Sequence, residues 1–357
     1  MHPPSTPESD WRHALRRSWQ RRGAGAWLLW PLSLCLGVWV WLRRCLYQWG
    51  VWRVHRLPVP VIVVGNVIAG GVGKTPIVIA LVEHCQRAGR RVGVVSRGHG
   101  RVATGLREVR SDADAREVGD EPLLIARRCG VPVWVGADRA ATARALLQAN
   151  PRVDLIISDD GLQHLALGRD LELCVFDERG VGNGWLLPAG PLREPWPRAP
   201  APNACTWLLL SVDADAPASP NASPIPIDAS HTPVHPIARQ LATQAQRFDG
   251  TVRDLRAWQG HPVQALAGIA KPERFFAALR QQGLTLQRAL ALPDHARLDE
   301  VDPDPNAGDC FCTEKDAVKL WSRHPEVWAV PLQAKLPAGL CSDLEAWLQA
   351  HPPHAQG

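Results

Sequence analysis

Short, nearly unbroken apolar runs occur at residues 61–64, 92–96, 131–135, 153–158, 171–176 and 206–210. Such runs, bounded by polar or turn-forming residues, read as strands buried on both faces. Between them lie amphipathic stretches at 76–88, at 121–128 beginning at Asp120, and an Ala-rich one at 139–149, which read as helices. After a proline-dense stretch the alternation resumes. Strands are expected at 263–268, 311–313 and 327–332, and helices at 271–282, from about Asp316, and at 344–350. Strands separated by helices predict an α/β fold with a mostly parallel sheet covered on both faces.

The organisation expected from this pattern has four parts. Residues 1–57 form a basic segment with a membrane-anchoring helix, and 58–212 a first α/β domain. Residues 213–236 form a Pro/Ala-rich linker or loop, and 237–357 a second, smaller α/β domain. No internal repeat is visible.

Tryptophan is distributed unevenly: eight of the 16 lie before residue 53. No charged residue occurs between Gly23 and Leu42, with Arg21 and Arg22 on one side and Arg43 and Arg44 on the other. The stretch reaches the roughly 20 residues that cross a bilayer, and indoles and arginines at its ends suit the headgroup region. It lacks the small-residue cleavage site of a signal peptide. A membrane anchor is therefore expected, whether spanning or lying in one leaflet. The basic flanks on both sides leave its orientation open.

Charge and cysteine change the picture little. The net charge of +5 owes much to the arginine-rich first 22 residues, which points to a local surface partner and away from a nucleic-acid groove. The nine cysteines show no CxxC pair. Cys310 and Cys312 alternate within an apolar run and read as core thiols of a reducing compartment.

The chemistry starts at Gly70-Gly71-Val72-Gly73-Lys74-Thr75-Pro76. It follows a strand and precedes a helix, the order that cradles phosphates with backbone N–H groups and a helix N-terminus. The expected nucleotide contacts are Ile68, Ala69, Gly70, Gly71, Val72, Gly73, Lys74 and Thr75. Lys74 reaches the β- and γ-phosphates, and the Thr75 hydroxyl binds Mg²⁺. Ile68 stands where the usual spacing has glycine, so this is a variant loop. Residues 154–161 are a strand ending in Asp159-Asp160-Gly161. Adjacent carboxylates repel unless a cation intervenes, so they are expected at Mg²⁺. Ser96-Arg97-Gly98 ends another strand on the same edge. Asp120 is either a helix cap or a carboxylate facing the phosphates. His295, after Asp294, has the chemistry to take a proton from an alcohol. Together with the anchor, these parts suggest a kinase acting on a lipid.

These residues resemble a known family. Val64-Gly65-Asn66, the loop at 70–76, Val95-Ser96-Arg97-Gly98, Gly119-Asp120-Glu121-Pro122, Asp159-Asp160-Gly161-Leu162-Gln163-His164, the 187–194 run ending Arg193-Glu194, Asp294-His295 and the 313–319 run beginning Thr313-Glu314-Lys315-Asp316 are similar, in order, to the signatures of tetraacyldisaccharide 4'-kinase. The resemblance covers about residues 20–348. It implies a P-loop NTPase-type domain, a smaller second α/β domain and a membrane-associated N-terminal helix. It implies transfer of the γ-phosphate of ATP to the 4'-hydroxyl of a tetraacylated glucosamine disaccharide 1-phosphate, giving lipid IVA, with Mg²⁺, at the cytoplasmic face of the bacterial inner membrane. On the same ground Asp120 and His295 form the dyad that activates the hydroxyl. Asp159, Asp160 and Glu194 bind or orient Mg²⁺ and substrate, and Arg97, Gln163 and His164 line the substrate pocket. A monomer without nucleic-acid partners is expected. His99 departs from the family's aromatic residue after Ser-Arg-Gly, so the resemblance does not carry a base-stacking role to that position.

Two other readings compete. A ParA/MinD-like ATPase shares Gly-Gly-Val-Gly-Lys-Thr but carries a lysine before the two glycines, where this chain has Ala69. A membrane-tethered nucleotide switch would need neither an acceptor base nor a second α/β region.

Overall fold

The computed structural model describes residues 19–213, 225–226, 232–293, 298 and 301–352. The 213–226 proline-rich run and the Asp294-His295 pair fall largely or wholly outside the described residues. Helix α1 spans Ala24–Gln48. Then follow β1 (Val61–Gly65), α2 (Lys74–Arg87), β2 (Val92–Ser96), β3 (Arg107–Glu108), α3 (Ala115–Val118), α4 (Asp120–Cys129), β4 (Val133–Val135), α5 (Arg139–Ala149), β5 (Leu155–Asp159) and β6 (Leu171–Phe176). Next come β7 (Cys205–Asp213), β8 (Val234–Leu241), β9 (Gln244–Gln246), β10 (Val252–Asp254), β11 (Pro262–Ala267), α6 (Pro272–Gln281) and β12 (Thr285–Ala291). The chain ends with β13 (Cys310–Thr313), α7 (Glu314–Leu320), β14 (Trp328–Val330), β15 (Leu332–Lys335) and α8 (Ala338–Ala350).

Among the described residues two sheets form. The first has nine strands in the order β15-β8-β7-β6-β1-β5-β2-β4-β3. Its interior pairs are parallel, and only the edge pairs β15–β8 and β3–β4 are antiparallel. Residues of β1 alternate between faces. Ile62 and Val64 join the core under α2 and α4, whereas Val61 and Val63 join the opposite core under α5. Both faces are therefore dry, as the unbroken apolar runs require.

The second sheet has six strands in the order β10-β9-β14-β13-β11-β12. In β13, Cys310 and Cys312 share one core and Phe311 faces the other. Burial pushes the Cys310 thiol up to about 12, which keeps it protonated and inert.

The division along the chain is less simple than a boundary at 237. β8 and β15 pair with each other in the first sheet, and the second sheet lies between them in sequence. Helix α8 packs back on the first core through Leu340, Leu344, Trp347 and Leu348. Pro233 and Pro236 made the start of β8 read as linker. Pro236 nevertheless sits in register with Leu210 of β7.

Helix α1 has a different environment. Only Ala26, Ser33 and Cys45 are buried, while Leu28, Leu32, Val38, Trp39 and Trp41 are exposed. Ser33 ties its inner side to the loop after β6, donating to Leu186 O at 2.8 Å and accepting from Ala189 N at 3.0 Å. Trp27 packs edge-on against Trp185 at 4.7 Å between ring centroids. The helix is long and apolar enough to cross a bilayer.

Candidate active site

The site lies where β1, β5 and β2 end, at the carboxyl edge of the first sheet, where ligands of such sheets bind. Val64 of β1 is in register with Asp159 of β5, so the glycine-rich loop and the paired acids leave the sheet side by side. Gly73 adopts φ +73° as the N-cap of α2, a left-handed conformation that favours glycine. Lys74 and Thr75 are then the first two residues of that helix.

The first half of the loop is zippered to the 191–193 segment. Ala69 N donates to Pro191 O at 2.7 Å, Arg193 N donates to Val67 O at 2.7 Å, and Ile68 bridges Leu192. The Ile68 side chain is buried in the core under α5, and Val72 is buried in the opposite one. This explains isoleucine in a glycine position: residue 68 is a packing peg. The Ile68 and Val72 side chains are both turned into the cores, which leaves only their backbone groups on the loop surface.

Lys74 Nζ lies 2.9 Å from Asn66 Oδ1 and 3.3 Å from Asp160 Oδ1. Asn66 is fixed by its own amide, which donates to Ile68 O at 2.6 Å. Asp160 has φ +48°, a strained turn that aspartate tolerates. Burial opposes its charge, but Lys74 and Arg193 together hold its carboxyl below the ordinary range. Asp159 is the reverse case. It is buried, and burial, with the charges of Glu121 and Asp160 adding to it, pushes its carboxyl up to about 7. Ser96 Oγ donates to Oδ2 at 3.1 Å, while Oδ1 has no hydrogen-bond partner among the described residues. An orphaned buried carboxylate oxygen beside a lysine-paired carboxylate fits a divalent cation. No cluster of three or more His, Cys, Asp or Glu side chains able to hold a metal occurs among the described residues. Mg²⁺ bound by one or two carboxylates and substrate phosphates needs no such cage.

The remaining expected residues are brought together in part. Gln163 donates to Asn66 O at 3.1 Å and to Glu194 Oε1 at 2.9 Å, which joins the Asp159-to-His164 run to the loop. Glu194 also accepts from Arg44 at 3.3 Å and Arg198 at 3.1 Å. Its carboxylate thus ties α1 to the site, and its other partners are cations. His164 is held neutral, its imidazole lowered to about 4 by burial and by the charges of Arg139, Arg97, Arg169 and Arg43. Arg97 is exposed at the end of β2.

Asp120 starts α4 directly against that strand end. A Cβ on Gly119 would lie 3.0 Å from Gly98 Cα, so glycines at both positions let the two segments touch. Its Oδ2 lies 2.6 Å from Lys319 Nζ of α7. His295 lies outside the described residues, so its distance from Asp120 is not part of this geometry.

Several site residues carry no motif signal. Arg139 was legible only as the first residue of an alanine-rich helix. It is buried, its guanidinium lowered to about 10 by burial despite the nearby charges of Asp159 and Asp160. Its Nε and Nη2 have no hydrogen-bond partner among the described residues. Asn66 and Arg193 stand within recognisable runs, but only the fold shows that both touch the lysine–aspartate pair.

Comparison with known proteins agrees with this geometry. A family model described as Tetraacyldisaccharide-1-P 4'-kinase matches residues 25–349. The chain is 51% identical over 335 residues to the tetraacyldisaccharide 4'-kinase of Acidovorax sp. (strain JS42), covering 94% of each chain. It is 45% identical over 363 residues to the tetraacyldisaccharide 4'-kinase of Methylibium petroleiphilum, covering 99% of each. The crystal structure of the "apo" form of LpxK from Aquifex aeolicus in complex with ATP superimposes with a TM-score of 0.76 at 27% identity, covering 91% of this chain and 98% of that one.

Proposed function

The chain belongs to the tetraacyldisaccharide-1-phosphate 4'-kinase family, and we propose that it transfers the γ-phosphate of ATP to the 4'-hydroxyl of a tetraacylated glucosamine disaccharide 1-phosphate. The product is lipid IVA, an intermediate of lipid A. The observation that carries this reading is the convergence of Lys74, Asp160 and the orphaned oxygen of Asp159 on one sheet edge, with Asp120 at the neighbouring strand end.

The hydroxyl oxygen attacks the γ-phosphorus, a new P–O bond forms, and the bond to the β–γ bridging oxygen breaks to release ADP. The loop N–H groups and Lys74 hold the phosphates in line and draw off the charge that collects on the leaving oxygen. Lys74 exchanges Asp160 for phosphate when nucleotide enters. Asp120 receives or orients the hydroxyl proton with His295. Thr75, Asp159 and Asp160 would hold Mg²⁺, which when bound neutralises phosphate charge. Glu194 and Gln163 keep that acid pair in register with the loop. His164, neutral and beside Arg97 and Arg139, lines the side on which an anionic sugar headgroup enters. The exposed apolar face of α1 supports work at a membrane surface, and we place that surface at the cytoplasmic face of the inner membrane.

A ParA/MinD-like ATPase or nucleotide switch is not favoured. The family match runs through the second sheet, which a switch does not need. Release of ADP in the presence and absence of purified acceptor lipid separates the readings. The kinase reading expects ADP to form in step with acceptor consumed. ADP release indifferent to the acceptor would remove it.

A further inference from the structure

Two arginines grip the glycine-rich loop by its carbonyl groups. Arg179 lies in the turn after β6. Its Nη1 donates to Ala69 O at 3.3 Å and its Nη2 to Gly71 O at 3.0 Å. Arg239, on β8, donates from Nη1 to Val72 O at 3.3 Å. It lies so close that a Cβ on Gly73 would collide with the guanidinium. Three carbonyls of the loop are thus capped by two cations.

Arg179 is itself held. The buried Asp177 accepts from its Nε at 2.9 Å on both carboxylate oxygens and from its backbone N at 3.1 Å. The adjacent Glu178 accepts from Lys271 Nζ at 2.7 Å and from Arg274 Nη2 at 2.6 Å, both at the start of α6 in the second domain. Arg239 is likewise attached to that domain's root, since it pairs in register with Ala334 on the strand by which the chain returns.

Each capped carbonyl belongs to a peptide whose N–H is on the next residue: Gly70, Val72 and Gly73. Hydrogen bonding at one end of an amide polarises the other, so capping strengthens these donors. It also holds the loop open from outside, where backbone carbonyls would otherwise be free to flip inward and repel phosphate. This bracing matters more in a loop whose residue 68 is a buried peg. We propose that Arg179 and Arg239 are positioning residues that hold the loop in its phosphate-binding shape without touching the nucleotide.

The proposal rests on reading residues 68–75 as the nucleotide cradle. Binding of ADP to the full-length wild-type chain, measured by calorimetry, tests that reading first and by itself. Arg179→Gln and Arg239→Gln are then compared with wild type for ADP and ATP. Each is expected to weaken both nucleotides by about tenfold and by the same factor, as loss of a charge-assisted hydrogen bond predicts. The KM for the lipid acceptor stays unchanged. Arg179→Lys keeps the charge but cannot span two carbonyls, and is expected to lose several-fold. It also serves if the glutamine variant does not fold. Unchanged ADP and ATP affinities would overturn the proposal. So would a loss confined to ATP, which would make either arginine a direct γ-phosphate contact.

Discussion

Lys319 Nζ of α7 lies 2.6 Å from Asp120 Oδ2 at the start of α4, and both side chains are largely shielded from water. The second domain therefore delivers a cation to the carboxylate proposed to activate the acceptor. Neighbouring pairs reinforce this seam: Arg128 meets Glu314 at 2.7 Å, and Lys315 meets Glu121 at 3.9 Å. Lys319→Met is predicted to lower kcat by at least about tenfold, because the carboxylate proposed to meet the acceptor hydroxyl loses a cation that fixes its position and charge. ATP affinity should stay within about twofold, since Lys319 does not reach the loop. Lys319→Arg should recover part of the loss. Steady-state kinetics with a nucleotide-binding measurement decides this.

Asp159 carries a second prediction, on stability. Its ordinary value is 3.8, and in the folded protein it is pushed up to about 7. The folded chain thus keeps a proton that the unfolded chain has released, and stability falls as pH rises through that window. Asp159→Asn removes this dependence. In Mg²⁺-free, nucleotide-free protein, the variant's advantage should grow as pH rises from about 4 to about 7 and level off above. Melting curves across that range provide the check. The same substitution should abolish kinase turnover, so stability and function are opposed at this residue.

The Glu178 clasp predicts the opposite sign. Although burial raises its carboxyl, hydrogen bonds and charge from Lys271 and Arg274 lower it from 4.5 to about 2. Its stabilising contribution is present above 4.5 and is lost as pH falls toward 2. Glu178→Gln should cost about 1 kcal/mol at pH 7, discounted for partial exposure. The gap from wild type should close as pH falls through that interval. Chemical denaturation at several pH values measures it.

Helix α1 predicts membrane behaviour separable from folding. Leu28 is 81% exposed and Trp41 60% exposed, although both are large and apolar. Burying each in a bilayer contributes about 1.5–3 kcal/mol. Replacing both with serine should weaken binding to lipid vesicles by at least about tenfold and leave the melting midpoint in detergent unchanged. Flotation and calorimetry test the two halves.

Much of this was legible beforehand because the relevant signals are local. The 171–176 strand and the 139–149 helix fall where the apolar periodicity placed them, and the glycine-rich loop announces itself by composition. What escaped depends on long-range pairing. The short strands β3, β9 and β10 carry too few apolar residues to show a period, and β8 was hidden by the prolines at and before its start. Lys319 meets Asp120, and Arg179 meets Gly71, only because the second domain and the β6 turn fold back onto the first sheet edge. No spacing rule within one segment encodes such contacts. Glu194 shows the limit of a motif: it lies beside Gln163 as expected, but it is engaged by Arg44 and Arg198.

Transfer to a lipid hydroxyl, as opposed to water, can be followed by the fate of the γ-phosphate. The full chain is incubated with γ-³²P-labelled ATP, Mg²⁺ and the tetraacylated disaccharide 1-phosphate, and lipid and aqueous fractions are separated. Label is expected in the lipid as a phosphomonoester at the 4'-position, and none when Lys74 is replaced by alanine. Label recovered solely as inorganic phosphate in the aqueous phase would contradict it.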